Sequence, residues 1–409
     1  MIPPRAQPPI ARPRAVVSAI GVLSAHGSGL AVLVDGLRAG HCPTRPADGL
    51  GYPEDPAPLC SRFPPATRQP GEAGSAGHLL ATVDQMLNAW RAASPQAEAA
   101  LLRTEDTALI VGSGGFLYAS GEELLWRWTA GPPDLAPFRV RGPGWGVDLI
   151  SRHLALTGPA MTLSTGCSSS ANALLTATEM LQRGHASRVI VVGAEGLSAV
   201  TLSGFASLML LDPEGCRPFD RDRAGVQLGE AVTVMLLEAQ PAASPAIRPQ
   251  HTVEILGGAN LCDTHHLTGA NPDGTVMGDV MRAALADAGI TPESIAAVKA
   301  HGTGSPDSDA AEARALRAVF GDSLPPVLAL KRLVGHTLGA CGTLETAALI
   351  GCLQAGFLPA AAGFTHTDPE LGVVPLRKPQ AAGAGRYLCN FFGFGGNYTS
   401  LVIDVTEQP

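Results

Sequence analysis

The chain has 409 residues, with 28 Lys+Arg against 36 Asp+Glu and a formal net charge of −8. That acidic balance lacks the basic excess that nucleic-acid binding needs. With 45% hydrophobic and only 16% charged residues, it also excludes a disordered chain and leaves ample material for a large core, in the range of two to three domain equivalents.

Residues 1–14 are rich in Pro and Arg and read as a disordered arm. Arg5, Arg12 and Arg14 precede the apolar run Ala15 to Ala25, which loosely imitates a signal peptide. Pro3, Pro4, Pro8, Pro9 and Pro13 interrupt that pattern, and Val16-Val17-Ser18-Ala19-Ile20 reads better as a first buried strand. No uninterrupted apolar stretch reaches the roughly 18 residues of a spanning helix, so no membrane association is expected. The proline-dense residues 43–72 read as an irregular surface excursion.

A buried strand is predicted around Ala108–Val111, ending in the glycine turn Gly112-Ser113-Gly114-Gly115. The run Met161 to Cys167 then leads into a helix from Ser168 to about Gln182. Ala171, Leu174, Leu175 and Leu181 give that helix a core-facing stripe, and Gly184 is its stop. A strand over Val232–Leu237 closes the first half, before a loop at 240–250.

The pattern then repeats. Val298-Lys299-Ala300 is a strand running into the turn His301-Gly302-Thr303-Gly304. Val327 to Leu330 runs through Lys331 and His336 into a helix from about Gly342 to Gln354, and Ser400–Val405 is the closing strand. Residues 15–240 and 251–409 are therefore expected to form two similar halves, each βαβ-like, with mostly parallel sheets covered by helices. Matching element ends would meet at their junction, and chemistry is expected there.

The eight cysteines form no C-x-x-C pair, which favours reduced thiols in a cytosol over a disulfide or zinc framework. Cys167 stands out. It sits between strand and helix, next to Gly166 and Ser168-Ser169-Ser170, where a sharp turn exposes a nucleophile and a helix N-terminus favours thiolate. A buried structural cysteine fits the same local context equally well. His301 follows a strand end, where ligands gather in α/β folds. His336 precedes a glycine-rich helix start. Each histidine alone is a weak signal.

In order along the chain, however, these motifs resemble the β-ketoacyl synthase (condensing enzyme) family. A cysteine at a helix start is followed by His301-Gly-Thr-Gly-x-Pro306 and then by Lys331-x-x-x-x-His336-x-x-Gly-Ala. Cys216 to Gly225 with Leu228-Gly229-Glu230, Asp309 to Glu312, the loop Asn390 to Gly396, and Ile20 to Ser24 also match, so the resemblance runs from about residue 15 to 405.

The resemblance implies a thiolase-like α/β fold, two similar βαβ-rich halves in a layered α-β-α-β-α sandwich. It implies an acyltransferase that draws an acyl group from an acyl carrier protein onto Cys167. His301 and His336 would donate hydrogen bonds to a malonyl thioester as it decarboxylates to an enolate. Backbone N–H groups of Cys167 and Phe394 would receive the oxyanion, and Phe394 would gate the acyl pocket. Lys331 and Glu312 would form a supporting ion pair, while Glu345 and Asp309 would be structural. No resident cofactor or metal is implied. A cytoplasmic homodimer, or a heterodimer with a chain-length factor, is expected.

The chain also departs from the family. Asn397-Tyr398 stands where relatives often carry Thr-Asn, and Leu208-Met209-Leu210-Leu211 stands where many carry a basic residue for docking the carrier. Trp126, Trp128 and Trp145 fall in the segment that in relatives lines the dimer interface and acyl pocket. Several decoys are set aside. Asp322-Ser323-Leu324 imitates a phosphopantetheine site in a turn beside Pro325-Pro326, and Cys262 with His265-His266 resembles the loop near the thioester entrance rather than a metal site. Gly193-Ala194-Glu195-Gly196 is a strand-end turn rather than a dinucleotide fingerprint. A thiolase would need a second cysteine near the end, and Cys389 is too far from Phe394 to serve. A chain-length factor would lack the nucleophile, which this chain keeps.

Overall fold

The computed structural model describes residues 12–50, 52, 56–67, 71–93, 104–115, 122, 142–241 and 251–407. Residues 1–11 of the expected arm, together with Trp126 and Trp128, lie outside them; Arg14, assigned to that arm, instead opens the first strand. Ten strands build the main sheet path. They are β1 (Arg14–Ser24), β2 (Thr107–Gly112), β3 (Ala160–Leu163), β4 (Arg188–Glu195), β5 (Ala231–Gln240), β6 (His251–Cys262), β7 (Ile295–Lys299), β8 (Val327–Leu328), β9 (Gly385–Phe392) and β10 (Asn397–Glu407). The helices are α1 (Leu30–Arg38), α2 (Gly71–Ala93), α3 (Trp145–Leu154), α4 (Ser169–Gln182), α5 (Ala199–Ser207), α6 (Thr275–Asp287), α7 (Pro306–Phe320), α8 (Lys331–Val334) and α9 (Cys341–Gln354).

The strand order is β8-β7-β9-β10-β6-β1-β5-β4-β2-β3. Counted from its own first strand, each half follows the order first, fifth, fourth, second, third, so the repeat read in the sequence is a repeat of topology. The halves join where β1 pairs antiparallel with β6, and an Arg14–Glu254 ion pair at 2.6 Å lies at that seam.

The sheet is mixed rather than mostly parallel. In each half the second strand is parallel to both its neighbours, but the fifth returns antiparallel beside the fourth and the first. The fifth strand follows the fourth without a crossover helix that lands it parallel, which a βαβ reading does not anticipate.

Side-chain alternation fixes the layers. On β4, Val189 and Val191 face one apolar cluster with Ala171, Leu174, Leu349 and Leu353, whereas Ile190 and Val192 face another with Leu79, Val83 and Ile150. Strands buried on both faces read as continuous apolar runs, as this one does. On the other half, Val298, Leu388 and Val402 pack against Met277, Met281 and Leu316 of α6 and α7. The layers are thus α2/α3, the first half of the sheet, α4/α9, the second half of the sheet and α6/α7, a layered thiolase-like α/β sandwich. Helix α9 is buried along its whole Cys341–Leu353 length, as a central helix must be. A Cβ on Gly342 would run into the Ala171 backbone, so α4 and α9 touch at their N-termini. That contact sets the position of the site.

Candidate functional site

Cys167 lies in a short 3-10 turn, Gly166–Ser168, that feeds α4. The turn needs a glycine: Gly166 has φ 61°, a left-handed conformation that costs a side-chain-bearing residue. Hydroxyls brace it. Ser169 Oγ accepts the Thr165 N–H at 2.9 Å and donates to the Gly166 carbonyl at 2.6 Å, while Asn172 donates to Thr165 Oγ1 at 2.9 Å. The serine run beside the cysteine therefore fixes the turn.

His301 stands just beyond the C-terminal end of β7. Its backbone N–H and that of Gly302 donate to the two Glu312 oxygens at 2.7 and 2.8 Å. Asp309 holds the next stretch, accepting from the N–H groups of Thr303, Gly304 and Phe219. One turn of α7 thus presents both carboxylates to the loop. His336 is anchored by its N–H to the Gln227 carbonyl at 2.6 Å, and its Nδ1 lies 3.0 Å from Cys341 Sγ.

The three side chains share one cleft of about 680 Å³, its open mouth included, lined also by Phe205, Phe392, Phe394 and Tyr398. The two imidazoles meet edge to face with centroids 5.5 Å apart. Phe394 is 38% exposed at the mouth and stacks on Phe205 at 5.6 Å. Thr268, Gly269 and Ala270, which follow the His265-His266 loop, line the same mouth. Leu208 and Met209 are exposed beside Leu210, another lining residue. Tyr398 is buried against the Phe392 ring, so the departure at this position fills the cleft floor with an aromatic.

Burial pushes the Cys167 thiol up to about 11, opposed by hydrogen bonds from the Phe394 and Cys167 backbone N–H groups and by the Lys331 charge. Those two amides are the pair that the family resemblance implies for an oxyanion. Burial, reinforced by Lys331 and Lys299, holds His301 and His336 well below the usual imidazole range. Both rings are neutral near neutral pH, each with one N–H to donate.

The expected ion pair between Lys331 and Glu312 is not formed. Lys331 Nζ binds Glu345 Oε1 at 2.6 Å, and Lys299 Nζ binds Glu345 Oε2 at 2.7 Å, all three side chains fully buried. The difference follows from helix direction: Glu345 projects from α9 towards both lysines, whereas Glu312 on α7 faces the His301 turn. Glu345 is therefore an ion-pair residue rather than packing at a helix start.

Three further residues at the site were missed. Lys299 lies inside a strand pattern, Cys341 has no motif partner, and Glu195 falls in a turn without a binding fingerprint. Glu195 is fully buried and accepts the N–H groups of Gly114, Gly115 and Gly339, tying the glycine turn of one half to the other. A lone charged residue inside an apolar strand was the available signal for both Lys299 and Glu195. Cys389 is buried on β9 and does not line the cleft, and Asp322 sits in the turn after α7. Among the described residues, Asp220, Asp222 and His366 form the one group with metal-ligand spacing, but it does not line the cleft and Asp220 already accepts from the Asp222, Thr365 and His366 N–H groups. No helix among the described residues is long and apolar enough to cross a membrane.

Two family models match the chain, Beta-ketoacyl synthase, N-terminal domain, over residues 78–243 and Beta-ketoacyl synthase, C-terminal domain, over residues 252–365. The chain is 30% identical over 311 residues to 3-oxoacyl-(acyl-carrier-protein) synthase 2 of Mycobacterium bovis, covering 72% of this chain and 74% of that one. Among solved structures it is similar to a ketosynthase (ApeO) in complex with its chain length factor (ApeC) from Xenorhabdus doucetiae, with TM-score 0.82 and 29% identity over 98% of this chain and 100% of that one. It is also similar to the ishigamide ketosynthase/chain length factor, with TM-score 0.84 and 26% identity over 96% and 99% of the two chains.

Proposed function

Because the chain belongs to the beta-ketoacyl synthase family, we propose that it joins acyl and malonyl units held on an acyl carrier protein, by decarboxylative condensation on Cys167. The observation that carries this reading is the convergence of one thiol and two neutral imidazoles, from three elements distant in sequence, on a single cleft. In the first step Cys167 Sγ forms a bond to the acyl carbonyl carbon, and the carrier thiolate leaves with the thiol proton. The Cys167 and Phe394 amides receive the oxyanion while it exists. In the second step the malonyl carboxylate departs as carbon dioxide, and its bonding electrons form an enolate. The N–H groups of His301 and His336 stabilise the charge that gathers on the thioester oxygen. The enolate carbon then attacks the acyl-Cys167 carbonyl, and the cysteine leaves as thiolate and takes a proton from solvent water.

Covalent storage divides one difficult reaction into two easier ones. The enzyme acts in the cytoplasm and needs no resident cofactor. A second reading, that it is the active half of a ketosynthase/chain-length-factor pair, is supported by the two similar complexes above. Intact-mass spectrometry after incubation with a panel of acyl-carrier thioesters tests both. The expected result is a single acyl adduct that disappears in Cys167→Ala. An adduct that persists in that variant overturns the nucleophile, and loading that requires an added partner chain selects the second reading.

A further inference from the structure

Lys299 is the largest departure from what a buried strand should contain. It ends β7 with no exposure, and its ammonium has three partners: Glu345 Oε2 at 2.7 Å, the Asn390 carbonyl at 2.6 Å and the face of the Phe391 ring at 3.6 Å. An ammonium has three N–H donors and no acceptor. Three electron-rich partners around Nζ match that charged form and leave no donor facing the lone pair of a neutral amine. Glu345 uses its other oxygen on Lys331, so two ammonium groups share one carboxylate. The groups facing Lys299 are Glu345 from α9, Lys331 from α8, and Cys389, Asn390 and Phe391 from β9.

Burial and the neighbouring Lys331 charge pull the Lys299 ammonium below the usual lysine range, and Glu345 opposes them; held charged by its three partners, Lys299 gives this triad an excess of one positive charge within electrostatic reach of both imidazoles. Such a triad is a poor stability device, since buried ion pairs are often replaced by apolar residues without loss. It is well placed for another task. A positive field disfavours a second positive charge on a nearby ring and favours negative charge developing on a bound substrate. Asn390 bridges the two groups by different atoms, its backbone carbonyl accepting from Lys299 and its side-chain Nδ2 donating to Glu312, which grips the His301 backbone.

We propose that Lys299 is a positioning residue of the site, leaving through Glu345 and Lys331 one unbalanced positive charge that keeps His301 and His336 neutral and supports the enolate. This rests on the condensing-enzyme reading for its chemistry, but its first readout does not. Burial is the larger cause that lowers the proton affinity of both rings, and the Lys331 and Lys299 charges act in the same direction.

The test compares Lys299→Gln, which keeps N–H donors without charge, with Lys299→Met, which keeps neither. Histidine titration is followed by NMR on 15N-histidine-labelled full-length protein, with assignment by loss in His301→Asn and His336→Asn. In both lysine variants the two imidazole midpoints should rise by about one pH unit, the scale on which a single nearby like charge shifts a titrating group. The kcat for decarboxylation of malonyl-carrier protein should fall about tenfold with KM unchanged. Wild-type titration in Lys299→Gln, or a defect confined to Lys299→Met, overturns the charge role in favour of packing. If Lys299→Met fails to fold, Lys299→Gln alone decides. Failure of the condensing reading would show as absent acyl loading in the wild type, while the titration readout would stand.

Discussion

His336 Nδ1 and Cys341 Sγ lie 3.0 Å apart, and Thr337 Oγ1 lies 3.7 Å from the same sulfur. The polarity of this chain follows from chemistry. Burial raises the Cys341 thiol far above neutral pH, so it keeps its proton. The threonine hydroxyl donates to sulfur, the thiol donates to Nδ1, and the imidazole proton is left on Nε2. That tautomer is the one able to donate from Nε2, and His336 lines the cleft. Cys341→Ala removes the donor and should lower the malonyl decarboxylation kcat about tenfold, the scale of one positioning hydrogen bond, without changing acyl loading on Cys167. Cys341→Ser, which keeps an O–H, should stay within about threefold. Equal rates in all three proteins would remove the tautomer argument.

This contact also shows what the sequence could and could not convey. Cys167, His301 and His336 are legible because each sits at a strand end or helix start with glycines whose left-handed φ the turn requires, as at Gly166, Gly302 and Gly335. The apolar runs of β4 and α9 declare burial on all sides. Lys299, Glu345 and Cys341 are different. The partners of Lys299 and Glu345 come from other elements, and nothing in the sequence around Lys299 announces that α9 will deliver Glu345 to it, while Cys341 meets His336 and Thr337 only because the turn before α9 folds them back. The antiparallel return of the fifth strands was hidden for a related reason, since strand direction depends on which neighbour the strand joins.

The neutral histidines set an expected pH behaviour. Both rings lie well below 6.5 in the folded protein, so decarboxylation should show no loss attributable to imidazole protonation as pH falls through 6.5. A steady-state kcat profile measured on malonyl-carrier protein checks this, and a midpoint near 6.5 that vanishes in His336→Gln would contradict it. Stability carries the matching sign. The unfolded rings bind protons below 6.5 and the folded rings do not, so this pair makes the fold less stable as pH drops below that value.

Glu312 runs the opposite way. Burial lifts its carboxyl from 4.5 to about 7 despite the Gly302 and His301 N–H groups that favour the ionised form. The folded state therefore holds this proton more tightly than the unfolded state. Its contribution is fully present below about pH 4.5 and is lost as pH rises through 7, on the order of 3 kcal/mol in total. Glu312→Gln removes that dependence. Urea denaturation of both proteins at pH 5 and pH 8 should show the variant gaining on the wild type at the higher pH by roughly that amount. A difference that is the same at both pH values would mean the carboxyl is not raised.

The Phe394 ring and its amide make separable contributions. The amide hydrogen-bonds Cys167 Sγ, and any side chain leaves it in place, whereas the ring stacks on Phe205 across the mouth of the cleft. Phe394→Ala should therefore keep the rate of acyl loading within about fivefold for short chains, because oxyanion donors are worth far more than that when lost. It should broaden the range of acyl lengths accepted, since the stacked pair no longer narrows the opening. Phe205→Ala should reproduce the broadening, as it removes the surface on which Phe394 rests. Competition between short and long acyl-carrier thioesters, read as the ratio of adducts on Cys167, measures the effect. A hundredfold loss for every chain length in Phe394→Ala would place the ring's role in holding the amide, and an unchanged ratio in both variants would end the gating assignment.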